Sequence, residues 1–225
     1  MKILKTARAL LLGSLVLVCA TARSQNPVDV HKLADAVDKH YNDLRSLQSN
    51  FEELYTGGGM TRNESGVMIL KKPGKMRWDY TSPRVKMFLT DGKTAWFYVP
   101  GEKQARRASV KSLDDLRSPL RYLLGKTKLE KEFQGLSLAP DKQPLTPGNV
   151  VLRGIPKSMA DRVSQVLLEI TPESRIARIS IEELDGSTTE FRFQAHRENV
   201  QLADDRFKFS PPPCVEVMQA KELEP

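Results

Sequence analysis

Residues 71–100 constrain the fold more than any other part of the chain. They form three strand-like runs joined by tight turns, and they are rich in large apolar side chains. Met76, Trp78 and Tyr80 alternate along the first run, whereas residues 95–99 are apolar at every position. A sheet with one face in water would alternate apolar and polar side chains. We therefore expect a sheet whose second face is also covered in places, by a helix, a partner or a ligand.

Turn signals divide the chain after residue 50 into further strands. Pro73-Gly74, Asp91-Gly92 and Pro100-Gly101 are turn pairs, and strands separated by short turns are adjacent and antiparallel. The same pattern along the rest of the chain predicts about eleven strands. The last of them is predicted at residues 207–210, where three consecutive prolines follow and would end it.

The start of the mature chain predicts an amphipathic helix. Asn26 is a capping residue, and Pro27 would take the first helical position. Apolar residues then recur at spacings of three and four from Val30 to Leu47, which is one stripe along a helix of about five turns. Such a helix is suited to lie across an apolar surface.

Shorter helices are predicted in the middle of the chain. Residues 112–115 form a capping box, and Pro119 divides the segment so that a second short helix covers residues 119–124. The apolar face of these helices consists of leucines, namely Leu116, Leu120, Leu123 and Leu124.

These patterns together predict a mainly β protein with an α-helical lid. We expect a single strongly curved, incomplete antiparallel β-barrel, covered by the N-terminal helix and the short mid-chain helices. A barrel of about eleven strands leaves an interior wider than its own side chains fill. Helices that plug this interior loosely would leave an apolar pocket.

A secretory signal peptide is predicted at the start of the chain. A basic start is followed by an apolar run at residues 9–20, and small residues precede a cleavage site near Ala22. We therefore divide the chain into a signal peptide, residues 1–22, and one mature domain, residues 23–225. An uncleaved membrane anchor is one alternative, and lipid attachment at Cys19 is another.

Charge and cysteine content narrow the choice of partners. The formal net charge is +7, and the acid-free signal segment contributes Lys2, Lys5 and Arg8, which leaves +4 for the mature domain. This small and evenly spread charge argues against nucleic acid as a partner. Only Cys214 remains after cleavage, so no internal disulfide is expected.

No catalytic or metal-binding pattern occurs in the sequence. The HExxH, CxxC and GxSxG motifs are absent. His31 and His40 would lie on opposite sides of the first helix and His196 in a polar turn, so we interpret all three as surface residues. We therefore expect a protein that is not an enzyme and that binds no cofactor and no metal.

Three segments resemble the periplasmic outer-membrane lipoprotein carrier family, LolA. They are KKPGKMRWDYTSP, TDGKTAWFYVPGEKQ and FKFSPPPCVEV, and they occur in the order typical of that family. The resemblance extends over essentially the whole mature chain, because the signal peptide, the first helix and the mid-chain helices also fit.

The resemblance implies a chaperone that binds the acyl chains of lipoproteins in an apolar cavity between barrel and lid. Such a carrier takes acylated lipoproteins from an inner-membrane ABC transporter (LolCDE-like) and passes them to an outer-membrane receptor (LolB-like). It implies a periplasmic monomer without a cofactor that contacts membranes transiently.

The resemblance also implies particular site residues. Lys72 takes the position of a family arginine that fastens barrel to lid through backbone carbonyls, and lysine lacks the planar fork of arginine. The expected ligand-binding wall comprises residues of two strands and of the lid, namely Met76, Trp78, Tyr80, Phe88, Leu120, Leu123 and Leu124.

Two other functions stay open from the sequence. A protein of the same fold could bind another lipid or act as a periplasmic sensor. An enzyme acting on lipid or cell-wall material would need a constellation of acid, base or nucleophile that the sequence does not contain.

Overall fold

A computed structural model describes residues 28–110, 122–123 and 128–220 of the 225-residue chain. The predicted signal peptide lies outside these residues, as do most of the predicted mid-chain helices.

One sheet of twelve strands dominates the described structure, in the spatial order β12-β6-β5-β4-β3-β2-β1-β11-β10-β9-β8-β7. The sheet is open, with β12 and β7 at its two edges. The strands are β1 (Ser46–Gly57), β2 (Met60–Lys71), β3 (Lys75–Ser82), β4 (Lys86–Thr90), β5 (Thr94–Tyr98), β6 (Gln104–Ser109), β7 (Phe133–Leu138), β8 (Val150–Pro156), β9 (Val163–Ile170), β10 (Ile176–Glu183), β11 (Thr188–Glu198) and β12 (Glu216–Gln219).

The three antiparallel strands predicted between residues 71 and 100 are confirmed as β3, β4 and β5. The prediction for the end of the chain is wrong. Asp204–Phe207 forms a short 3-10 helix, residues 208–210 are not in a strand, and the last strand, β12, follows the prolines and pairs in parallel with β6. The alternating Phe207 and Phe209 pack on the sheet instead of extending it.

The N-terminal helix, α1 (Val30–Asp43), is confirmed but is shorter than predicted. Its N-cap is Asp29, whose carboxylate accepts from the backbone N–H groups of His31 and Lys32 at 3.0 and 3.2 Å. This satisfies helix N–H groups that have no partner within the helix. The apolar stripe extended beyond the helix because Leu47, its last predicted member, is an inner-face residue of β1.

The sheet is strongly curved, as ring contacts across it demonstrate. Trp78 on β3 and Phe191 on β11 are three strands apart, which is about 14 Å in a flat sheet, yet their ring centroids are 5.8 Å apart. The face that carries these rings is called the inner face. Its side chains form one hydrophobic core from β6 to β7, and Ala34, Val37 and Tyr41 of α1 are part of that core.

The opposite, outer face is covered in part by the C-terminal segment of the chain, residues 199–217. Leu202 and Phe207 pack against Ile69 of β2. Phe209 contacts the rings of Trp96 and Tyr98 of β5 at 5.4 and 5.3 Å. This explains why residues 95–99 are apolar on both faces. The sequence analysis expected a helix, a partner or a ligand on the second face, whereas the structure places the C-terminal segment of the same chain there.

Candidate functional site

The inner face of β3 and β4 places four of the predicted wall residues side by side. Met76, Trp78 and Tyr80 occupy alternate positions of β3, and Phe88 lies opposite Trp78 in the register of β4. All four are at most 6% exposed and belong to the inner core. Alternation along β3 therefore places Met76, Trp78 and Tyr80 on one buried face, as the sequence pattern predicted.

Aromatic residues of neighbouring strands complete this surface and were missed in the sequence. Phe51 of β1 lies with its ring centroid 4.6 Å from that of Trp78 and 4.8 Å from that of Tyr80. Phe191 and Phe193 of β11 stack on each other and contact Trp78 edge-on. The period-2 spacing of Phe51, Phe191 and Phe193 within their strands was the available signal, but only the order of strands brings them to Trp78.

Two other parts of the chain, α1 and residues 122–123, contribute side chains to the same inner core. Tyr41 of α1 accepts a hydrogen bond at its hydroxyl from the backbone N–H of Ile176, over 2.9 Å. Leu123, a predicted wall residue, is fully buried in the inner core. The ring of Tyr122 contacts that of Phe133 in a tilted arrangement, with a centroid distance of 5.1 Å. The other two predicted wall residues of the lid, Leu120 and Leu124, lie outside the described residues.

Lys72 connects the sheet to the end of α1. Its ammonium donates to the backbone carbonyl oxygens of Tyr41 and Asn42, the latter over 2.9 Å, and its backbone N–H donates to the carbonyl of Arg45 over 2.9 Å. The last carbonyls of a helix have no partner within it and form the negative end of its dipole. A lysine ammonium can therefore serve two of them without the planar fork of arginine.

A second fastening joins α1 to the short helix α2 (Leu129–Glu132). Asp38 accepts from the backbone N–H of Leu129 at 3.0 Å, and His31 forms an ion pair with Glu130. Burial raises the pKa of Asp38 to about 6. Asp38 thus caps the N-terminus of a neighbouring helix and is less readily ionised than an aspartate in water.

Charged residues lie at one end of the inner face, beyond the aromatic surface, and the sequence analysis did not single them out. The hydroxyl of Tyr80 donates to Glu53 over 2.7 Å. Lys86 lies 3.0 Å from Glu64, and the guanidinium of Arg62 lies 3.1 Å from the same carboxylate. Glu53 and Glu64 are almost fully buried, and burial raises the pKa of Glu53.

A groove of about 1000 Å³ lies beside Lys72, outside the inner core. Its walls are formed by the end of α1, the start of β1 and residues 199–203, and they include Asp43, Arg45 and Lys71. These charged walls do not suit an acyl chain.

The histidines of the described residues do not lie where the sequence analysis placed all of them, and they do not belong to a metal site there. No group of three or more His, Cys, Asp or Glu side chains there is placed to hold a metal ion. His196 lies in strand β11 and not in a turn, so its predicted position is wrong. His40 is half-buried and lies 3.2 Å from Glu198, so it is not the plain surface residue we expected.

Within residues 28–110, 122–123 and 128–220, no helix is long and apolar enough to cross a membrane.

The elements described above define a class of protein: an open half-barrel with an apolar inner face on which a helix is fastened by a few polar contacts. Comparison with known proteins identifies which half-barrel this is. A family model described as outer membrane lipoprotein carrier protein LolA matches residues 42–210, and the chain belongs to that family.

Individual relatives agree with this assignment. An outer-membrane lipoprotein carrier protein of Nitrosospira multiformis is 30% identical over 77% of this chain and 82% of its own. A protein of the same description from Alkalilimnicola ehrlichii is 27% identical over 92% of this chain and 94% of its own. The family is one of carriers and not of enzymes, as the sequence analysis expected.

A solved structure supports the fold. An uncharacterized conserved protein from Thermus thermophilus superposes with a TM-score of 0.52 at 13% identity, over 84% of this chain and 98% of its own. At this identity the similarity concerns the architecture alone.

Proposed function

We propose that the protein is a periplasmic carrier that holds the acyl chains of lipoproteins against the inner face of its sheet. The observation that carries the proposal is the continuous aromatic surface around Trp78, which belongs to an inner core shared with a helix that a few polar contacts fasten. Membership of the carrier family supports the same cargo.

The wall of the binding site would be formed by inner-face residues and by the lid. On the sheet these are Met76, Trp78, Tyr80 and Phe88; on the lid they are Leu120, Leu123 and Leu124. Methionine and aromatic side chains suit flexible acyl chains because they adapt their packing and supply large apolar area. The described wall residues are buried, so an acyl chain would replace packing that they now have within the inner core.

The energetics of this replacement suit a protein that must release what it binds. Each buried CH₂ group of an acyl chain contributes about 0.8 kcal/mol. Moving the lid disrupts its packing against the sheet, and the free energy lost there offsets part of the gain from burying the acyl chain. The net binding free energy is therefore smaller than the sum of the contributions of the buried CH₂ groups. A receptor whose site needs no such displacement would then take the chain.

Lys72 would act as the latch between sheet and lid. Its two carbonyl acceptors belong to the last turn of α1, which lies on the inner core. Moving α1 aside would break these hydrogen bonds, and each is charge-assisted at the donor. The latch would therefore set how readily the interior opens.

The route of transfer completes the proposal. The signal peptide at residues 1–22, cleaved near Ala22, would export a single domain, residues 23–225, to the periplasm. There the monomeric carrier would receive acylated lipoproteins from a LolCDE-like inner-membrane ABC transporter and deliver them to a LolB-like outer-membrane receptor, touching the membranes only transiently. Neither nucleic acid nor a cofactor has a part in this route.

The two tryptophans of the chain allow a direct test, because Trp78 lies on the inner face and Trp96 on the outer face. Trp96→Phe leaves only Trp78, and Trp78→Phe leaves only Trp96. A triacylated lipopeptide with brominated acyl chains quenches tryptophan at short range. We expect it to quench the fluorescence of the Trp78-only protein and to leave the Trp96-only control nearly unchanged.

Two other results would change the conclusion. Equal quenching of both proteins would mean that acyl chains do not enter the interior. Quenching by brominated fatty acid but not by the lipopeptide would favour a LolA-fold protein for a different lipid. Release of a labelled lipoprotein from inner-membrane vesicles, with ATP and the transporter, into a one-to-one soluble complex would then test transfer itself.

A further inference from the structure

We propose that Glu53, Glu64 and Lys86 form a polar subsite for the ester and amide groups that join acyl chains to the peptide of a lipoprotein. The inference rests on the proposed function, because it assigns a binding role to the end of the site that the acyl chains do not occupy. It is carried by where these charged residues lie and by how they are bonded.

The charged residues continue the inner-face rows that carry the aromatic surface. Glu53 is two residues beyond Phe51 on β1, where it pairs with Glu64 of β2. Lys86 of β4 lies opposite Tyr80 of β3. The change from apolar to charged therefore falls at neighbouring levels of three strands, β1, β2 and β4. Lys86 is level with Tyr80, and the Glu53–Glu64 pair lies one inward-facing position further along, which is about 7 Å since two residues of a strand span that length.

The hydrogen bonds within this cluster leave one carboxylate oxygen, Glu53 Oε1, able to accept from a further donor. Glu53 Oε2 accepts from the Tyr80 hydroxyl, whereas Glu53 Oε1 lies 3.9 Å from Arg62 Nη2, which is beyond hydrogen-bonding distance. Both Lys86 and Arg62 contact the same oxygen of Glu64, Oε2. A carboxylate can accept about four hydrogen bonds, so Glu53 retains capacity for a further donor.

A buried carboxylate on the outer face shows the contrasting, purely structural arrangement. Glu169 accepts from the backbone N–H groups of Leu145 and Thr146 and from the amide of Asn149, at 2.9, 3.2 and 2.8 Å, and lies 2.9 Å from the guanidinium of Arg178. Both of its oxygens are used to hold the loop before β8. Glu53 holds no loop, and the aromatic surface would pack without a charge beside it.

Stability alone gives weak reason for such a cluster. Buried ion pairs are frequently no more stable than apolar side chains of similar volume, because desolvation offsets their attraction. A polar ligand changes that balance, since it adds hydrogen bonds that the cluster lacks. The ester carbonyls of an acylated cysteine would accept from Lys86, and a peptide N–H would donate to Glu53.

The position of Arg62 indicates where the peptide of a bound lipoprotein would leave the subsite for solvent. Its side chain is half exposed and lies over the ring of Tyr55, 5.4 Å from the centroid, at the solvent end of the β1–β2 hairpin. A peptide that follows the acylated cysteine can leave the interior there. The acyl chains would then point away from the hairpin, toward Trp78 and Met76.

The test compares two probes that share long alkyl chains but differ in their polar groups. Hexadecane carries an alkyl chain without any polar group, whereas a neutral triacylated Cys-Ser-Asn amide carries ester and amide linkages and a short peptide. In the Trp96→Phe protein, binding of each is measured by Trp78 fluorescence. We expect Glu53→Gln and Lys86→Met to weaken lipopeptide binding about tenfold, as for loss of a hydrogen bond to a charged group, and to leave hexadecane binding nearly unchanged.

Glu190→Gln is the matched control, because Glu190 is a largely buried carboxylate that lies near two arginines, Arg178 and Arg192, on the outer face. It should change neither affinity, and thermal melts of all variants check the fold. Unchanged lipopeptide affinity in both cluster variants, or an equal loss for both probes, would overturn the subsite. Failure of the unmodified protein to bind either probe would overturn the proposed function and this subsite with it.

Discussion

The ammonium of Lys72 donates a hydrogen bond to the backbone carbonyl of Asn42 over 2.9 Å and so joins the end of β2 to the last turn of α1. The carbonyl of Tyr41 accepts from the same ammonium. One side chain of the sheet thereby fastens the helix that packs on the inner core, and it does so through main-chain groups that have no partner within the helix.

Replacing Lys72 by methionine should loosen α1 without emptying the core. The side chain keeps its length but loses its donors, at a cost of about 1–3 kcal/mol because two backbone carbonyls lose a hydrogen bond from a charged group. We expect amide hydrogen exchange in residues 37–43 to accelerate and bound lipopeptide to leave faster. Lys72→Arg, which restores donors, should retain most of the protection. Equal exchange rates in the methionine variant and the unmodified protein would show that Lys72 is not a latch.

The main features of the sheet could be predicted because they depend on local patterns. Period-2 alternation identified β3 and placed Met76, Trp78 and Tyr80 on one face, and turn pairs separated β3, β4 and β5. These signals lie within a few residues of one another, so they do not depend on the rest of the fold.

The features that escaped prediction depend on chain segments distant in sequence. Phe209 reaches Trp96 over more than one hundred residues of chain, and no periodicity indicates that a proline-rich segment returns to the outer face. Glu53 and Lys86 are ordinary polar residues in their own strands. They become a cluster only because β1, β2, β3 and β4 are neighbours in register.

Gly66 should tolerate no side chain, because β2 approaches β3 too closely there. A Cβ at this position would lie 2.0 Å from the carbonyl oxygen of Asp79, and the pairing register shifts between Ser65 and Gly66. We expect Gly66→Ala to lower the free energy of unfolding by about 3 kcal/mol, measured by urea denaturation. Gly58→Ala is the control: its Cβ would meet nothing within 4 Å, so only the positive φ costs about 1 kcal/mol. Similar losses in both variants would contradict the close approach.

Phe209→Ala should uncover the outer face locally. Removing the ring exposes Trp96 and Tyr98, and we expect stability to fall by about 2 kcal/mol because Phe209 is only half-buried. In a Trp78→Phe background the emission of Trp96 should shift to longer wavelength, since water replaces the ring. Phe209→Leu should shift it less. An unchanged emission maximum in the alanine variant would mean that the C-terminal segment does not shield Trp96 in solution.

The contact between α1 and α2 should depend on pH through Asp38. Burial raises the pKa of this carboxyl from 3.8 to about 6, so between these values the folded protein holds more protons than the unfolded chain. The contribution of Asp38 to stability is therefore greatest below the unfolded pKa and declines as the pH rises through about 6. Asp38→Asn keeps an acceptor for the N–H of Leu129 but does not titrate.

The difference in unfolding free energy between Asp38→Asn and the unmodified protein isolates this effect, because the other titrating groups are common to both. Measured by urea denaturation, the asparagine variant should gain stability relative to the unmodified protein between pH 4 and pH 7.5. Asp38→Ala, which lacks the acceptor, should be less stable than Asp38→Asn at both pH values, since the first turn of α2 then loses its cap. Parallel stability curves for Asp38→Asn and the unmodified protein would show that Asp38 titrates as it does in water, and that the α1–α2 contact does not respond to pH through this residue.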